Sequence, residues 1–221
     1  MRRPYLFPLL LAALLAAPVA FAGDAISAAE QRLFADPHLG NLPAAATLRY
    51  SYRKNEAGQA AVDDEVILTA HEEGARRRVV QVDYLHGERH LALPEVEQAI
   101  NNPVILYFLE SDVRAMRRRL GGQENYFRRR IRLALAEHAQ LDAVSFSYAG
   151  KPAQGTRVVV QPYVDDAQQE RFQGLARKSY VFTLSEQVPG GVYELRTVVD
   201  DPAAAGKPLV EEILTLRGDK L

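Results

Sequence analysis

Apolar residues recur at every second position through most of this chain, the spacing that turns one face of a β-strand inward. Leu48, Tyr50 and Tyr52 alternate with polar neighbours over 47–54. Val66, Leu68 and Ala70 do so over 62–71, and Arg78, Val80, Val82 and Tyr84 share a face over 76–85. Five further strands are predicted beyond residue 142: 143–149 (Val144, Phe146, Tyr148), 155–164 (Val159, Tyr163), 177–185 (Tyr180, Phe182, Leu184), 191–200 (Tyr193, Leu195, Val199) and 209–217 (Val210, Leu214, Leu216). Gly150-Lys151-Pro152, Pro189-Gly190-Gly191 and the stretch from Asp200 to Pro208 punctuate them. Turns this short imply antiparallel pairing, with four strands before the centre of the chain and five after it.

The period lengthens to 3.6 in two places. Ile26, Ala29, Leu33 and Phe34 predict a short amphipathic helix over 24–36, with Ser27 as a possible cap. The stretch 102–138 predicts two helices. Asn102 suits an N-cap and Pro103 the first turn, Gly121-Gly122 stops the first helix, and the chain restarts near Gln123. Ile105, Phe108, Leu109, Val113, Met116 and Leu120 form the inner face of the first helix, and Phe127, Ile131, Ala134, Leu135 and His138 that of the second. The expected fold class is therefore α+β: a strongly curved antiparallel sheet of about nine strands, an unclosed β-barrel, covered by an N-terminal helix and a central helical hairpin. Residues 165–176 form a polar insertion with room for one helical turn.

Charge adds a start and a compartment. Arg2 and Arg3, an apolar run from Leu6 to Phe21 and Ala20-Phe21-Ala22 have the order of a secretory signal, so cleavage after Ala22 and one domain over 23–221 are expected. The 27 basic residues then lose two, leaving 25 against 28 acidic ones. Cysteine is absent, which excludes disulfides and the cysteine-linked lipid anchor of bacterial lipoproteins. These features point to a soluble periplasmic protein, and for an exported chain nucleic acid is a poor partner.

Asp112 falls on the apolar face of the first helix, as does Arg119, and Arg130 borders the inner face of the second. A carboxylate on such a face needs a cation to offset its desolvation, so a lid ion pair of Asp112 with Arg119 or Arg130 is expected. Eight arginines lie between Arg114 and Arg132, with Glu124 the sole acid among them. Arg117, Arg118, Arg129 and Arg132 point outward, either as an anion-facing patch or as a solvated face balanced by acids elsewhere. His86 and His90 stand near Asp83 and Glu88, but a two-residue turn at Gly87-Glu88 would put the imidazoles on opposite faces, so no metal site is expected there.

The order of elements, a leading helix, a meander, a helical insertion and a second meander behind a signal, resembles the periplasmic lipoprotein-carrier family (the lipoprotein localisation factor). That resemblance implies an unclosed barrel holding acyl chains, with an arginine tying the helical lid to the sheet; here Arg119 and Arg130 are the lid arginines. Tyr50, Tyr52, Tyr84, Phe108, Phe146, Tyr148, Tyr180 and Phe182 could line such a cavity or equally fill it. The leading expectation is a non-enzymatic carrier without cofactor or metal, whose partners are a lipid or acylated protein and a membrane surface or acidic protein. The alternative is a protein-interaction module of the cell envelope, which a side-chain-filled core would favour. An enzyme ranks third, since no nucleophile elbow, HExxH or P-loop occurs.

Overall fold

A computed structural model describes residues 26–74, 77–202 and 207–218. The expected signal, 1–22, lies outside them. Nine strands form one sheet: β1 (Ala46–Glu56), β2 (Val62–Glu73), β3 (Arg77–Tyr84), β4 (Val96–Glu97), β5 (Gln140–Tyr148), β6 (Lys151–Val160), β7 (Ser179–Leu184), β8 (Val192–Asp200) and β9 (Pro208–Leu216). Their spatial order is β4-β3-β2-β1-β9-β8-β7-β6-β5, every pairing is antiparallel, and the curved sheet stays open between β4 and β5. The first and last strands meet in the middle, Tyr50 opposite Leu216 and Tyr52 opposite Leu214, so each half of the chain is a meander growing outward from that seam.

The N-terminal helix α1 (Ala28–Glu30) continues through a π turn, Gln31–Ala35. Its start is a reciprocal capping box, in which the Glu30 N–H donates to Ser27 Oγ at 3.1 Å and the Ser27 N–H to Glu30 Oε2 at 3.0 Å. The central hairpin is α2 (Val104–Leu120) and α3 (Glu124–Glu137). Asn102 caps α2 through Oδ1, which accepts the Val104 N–H at 3.1 Å. Gly121 (φ +73°) and Gly122 (φ +84°) end the helix in backbone that other residues seldom adopt. The insertion between β6 and β7 holds the single turn α4 (Gln169–Phe172) and a 3₁₀ segment, Gln173–Arg177.

The hairpin lies along β1. At one end Asn102 donates to the Tyr50 hydroxyl (2.9 Å), and at the other Arg119 reaches Glu56 (3.0 Å), so α2 follows β1 in the same sense. Its buried face, Val104, Ile105, Tyr107, Phe108, Leu109, Val113 and Met116, joins Phe127, Ile131, Ala134 and Leu135 of α3 and the inward residues of the sheet in one apolar core.

Three local expectations are corrected. The fourth strand does not follow a turn at Gly87-Glu88. Gly87–Arg89 is a 3₁₀ turn, and β4 begins only at Val96, because Asp64 accepts from the His86 N–H, His86 Nδ1 and Arg89 and holds this stretch off the ladder. On β6 the inward residues are Val158 and Val160, with Val159 half-buried; three successive valines hide which parity faces in. His138 is exposed, since α3 ends at Glu137 before completing its inner stripe.

Candidate functional site at the seam between hairpin and sheet

Six of the eight aromatics expected to line a cavity meet at this seam. Tyr50, Tyr52, Tyr84, Phe108, Tyr180 and Phe182 are at most 4% exposed. Among the described residues these side chains are closed to solvent and packed with the hairpin in one core. Phe146 and Tyr148 lie elsewhere, a correction that follows from the reach of the β5–β6 hairpin beyond the end of β7. There Phe146 stacks on Tyr193 with ring centroids 4.1 Å apart, Tyr148 meets the same ring edge-on at 6.4 Å, and both are only half-buried at the margin of the core.

The tyrosines turn their hydroxyls toward the hairpin. Tyr50 accepts from Asn102 Nδ2, Tyr84 hydrogen-bonds Ser111, and Tyr180 donates to Asp112 Oδ2. Burial, then the Asp112 carboxylate, pushes the Tyr180 phenol well above its ordinary pKa; burial and the charge of Glu212 do the same to Tyr84. All three phenols therefore remain neutral donors or acceptors at any physiological pH.

Asp112 is buried as expected, but its cation is Lys178, not Arg119 or Arg130. The Lys178 ammonium contacts Oδ1, the Tyr180 hydroxyl contacts Oδ2, and Tyr163 lies 3.1 Å from that hydroxyl. Arg119 belongs to the overhanging last turn of α2, where its long side chain leaves the apolar face and pairs with Glu56. Arg130 turns to the β6–β7 insertion. Its Nε lies 2.8 Å from Asp166 Oδ2 and its Nη2 donates to the Pro162 carbonyl at 3.1 Å. The Nε–H is not aimed at the carboxylate well enough for a hydrogen bond, so that contact is ionic. Asp166 also accepts from the Tyr126 hydroxyl at 2.6 Å; burial first and that carboxylate second raise the phenol to about 12.

The outward arginines divide. Arg117 pairs with Glu124 at 3.4 Å, and Arg128 is held between Glu110 (2.6 Å) and Glu124 (2.7 Å). Glu110, whose carboxyl the Arg128 guanidinium holds below its ordinary pKa, also pairs with Arg114 at 3.2 Å. Arg118, Arg129 and Arg132 are exposed and form no ion pair among the described residues.

No protein-family profile and no curated protein matches this sequence. Solved structures do. One is the Mycobacterium tuberculosis lipoprotein LppX, at 9% identity over 80% of this chain and 88% of that one, with a TM-score of 0.31. Another is the Pseudomonas aeruginosa MucA/MucB complex, at 14% identity over 86% of this chain but only 55% of the matched one, with a TM-score of 0.30. A third is the LolA superfamily protein NE2245 from Nitrosomonas europaea, at 7% identity over 87% and 94%, with a TM-score of 0.22. The likeness is one of architecture, and what this chain binds is read from its own residues.

Several seam residues escaped the sequence reading. Lys178 was legible, because Lys178, Tyr180, Phe182 and Leu184 share strand parity and a lysine facing inward requires an acid. Asp166 was not, since nothing local distinguishes it from Asp165. His38 joins three segments: its Nδ1 accepts the Asn102 N–H at 3.2 Å, and its Nε2 therefore donates to the Arg32 carbonyl at 2.8 Å. Desolvation lowers its pKa. Among the described residues no group of three or more His, Asp or Glu could hold a metal ion. A cleft of about 830 Å³ lies outside the hairpin, between Arg32–Asn41, with His38 in its wall, and the segments around Gly155 and Glu186.

Proposed function

We propose that this chain, freed of residues 1–22 and folded as one domain, is a non-enzymatic binding protein of the bacterial periplasm. It takes the apolar part of an amphiphile, a lipid or lipoprotein acyl chain, beneath the helical hairpin. Arg118, Arg129 and Arg132 face the anionic headgroups from which that ligand comes. The observation that carries this reading is the chemistry of the seam. Where hairpin meets sheet, Tyr50, Tyr84 and Tyr180 offer hydroxyls to Asn102, Ser111 and Asp112, and a buried Asp112–Lys178 pair replaces an apolar contact. Buried ion pairs add little net stability, and hydroxyls and charges regain water on separation, so this seam opens at lower cost than an all-apolar one. Parting it would expose the rings of Tyr50, Tyr84, Tyr180 and Phe182 to an alkyl chain.

The absence of cysteine gives a direct test. Spin labels on Ser51→Cys of β1 and Ala136→Cys of the hairpin, both exposed sites, report their separation. Titration with lysophosphatidylglycerol below its micellar concentration should lengthen that distance in step with binding. An unchanged distance with ligand bound would sink the hairpin-opening reading.

The filled interior favours a second reading, a protein-interaction module whose hairpin never leaves the sheet and whose outer arginines meet an acidic partner. The same labels would then stay fixed while binding remained salt-sensitive.

A further inference from the structure

A slot of about 260 Å³ opens where the hairpin turns, between Gly121-Gly122 and the β6–β7 insertion. Its floor is apolar, with Leu120 half-buried and Phe127 and Phe172 each 3% exposed. Arg171 stands at its rim. Its Nη1 donates to Gln168 at 2.6 Å, and it pairs with no carboxylate among the described residues.

The slot is the outer end of a column of rings. Phe127 and Phe172 are 6.2 Å apart, Phe172 stacks on Tyr163 at 4.9 Å, and Tyr163 lies 6.4 Å from Tyr180 at the centre of the seam. Beside this column the polar ties of the insertion to α3 are Asp166, which meets Tyr126 and Arg130, and the Pro162 carbonyl, which accepts from Arg130. A volume just under the roughly 300–1,000 Å³ of drug-sized ligand pockets suits one unbranched chain and excludes a whole diacyl lipid.

Resting on the function proposed above, we infer that this slot is where the ligand enters. It admits a single-chain anion, its head on Arg171 and its alkyl chain on Phe172, and the chain advances past Tyr163 toward Tyr180, both closed to solvent here, as the hairpin parts from the sheet. Arg171 suits a carboxylate or a phosphate head alike, and competition separates the two sources.

The probe is 11-(dansylamino)undecanoate, whose fluorescence rises on entering an apolar site, displaced in turn by laurate, dodecyl phosphate and dodecanol. Leu120→Trp fills the slot. It should weaken probe binding about tenfold, the effect of withdrawing roughly two methylenes from an apolar site. Arg171→Glu should abolish the preference for laurate and dodecyl phosphate over dodecanol while dodecanol still competes. Arg171 is exposed and Leu120 half-buried, and thermal melts check that each variant is folded. If the wild type binds and both variants bind equally well with the same competitor ranking, the slot is not the way in, although the carrier reading stands. If the wild type binds none of these ligands, both fall together.

Discussion

Removing the Asp112 carboxylate should cost more stability than any surface change. Asp112 and Lys178 are 2% and 4% exposed, and the carboxylate holds both the ammonium and the Tyr180 hydroxyl. Asp112→Ala strands a buried cation and leaves that hydroxyl with Tyr163 alone. Breaking one side of a buried pair costs about 3–5 kcal/mol, and for a chain of this length each kcal/mol moves the melting temperature by about 2–4 °C. A fall of about 6–20 °C is therefore expected by calorimetry, with a matching loss in urea denaturation. Asp112→Ala combined with Lys178→Met removes both charges and should recover at least half of the loss, because a pair replaced by apolar groups costs little. A single variant within about 1 kcal/mol of the wild type, or a double variant no better than the single, would refute the account of this seam.

Asn102→Ala removes the α2 cap and strands the Tyr50 hydroxyl and Gly190 carbonyl; a loss of about 2–3 kcal/mol is expected in urea titration. His38 has a lowered pKa in the fold, so its contribution is complete above the unfolded value near 6.5 and is lost as pH falls toward the folded one. The melting temperature should drop on acidification from pH 7 to 5, and His38→Gln should flatten that dependence. Reversing Arg118, Arg129 and Arg132 together to glutamate should leave the melting temperature nearly unchanged and abolish flotation with phosphatidylglycerol vesicles, an association that in the wild type weakens with salt.

Periodicity made most strands and the helices legible, because one-faced burial imposes its period on the residues that are buried, and cap chemistry marked the ends of α2 at Asn102 and Gly121. Periodicity also placed Asp112 inside. The partner was out of reach of such reasoning for Arg130, whose direction is set by Asp166 on an insertion without periodic pattern. Lys178 was within reach, since its parity with Tyr180 was readable. The patch shrank from four arginines to three because Arg117 pairs across the hairpin turn with Glu124, the one acid inside the arginine run. Phe146 and Tyr148 kept their alternation but left the seam, because alternation fixes the side of a strand and not what lies over it.

The claim that an amphiphile is carried beneath the hairpin is tested most directly by native mass spectrometry of the protein purified from the periplasm without detergent. The account expects a second species heavier by the mass of one lipid or acyl compound, released on gentle activation and lost when Leu120→Trp and Arg171→Glu are combined. Bare protein alone, under conditions where a known lipid carrier retains its cargo, would contradict it.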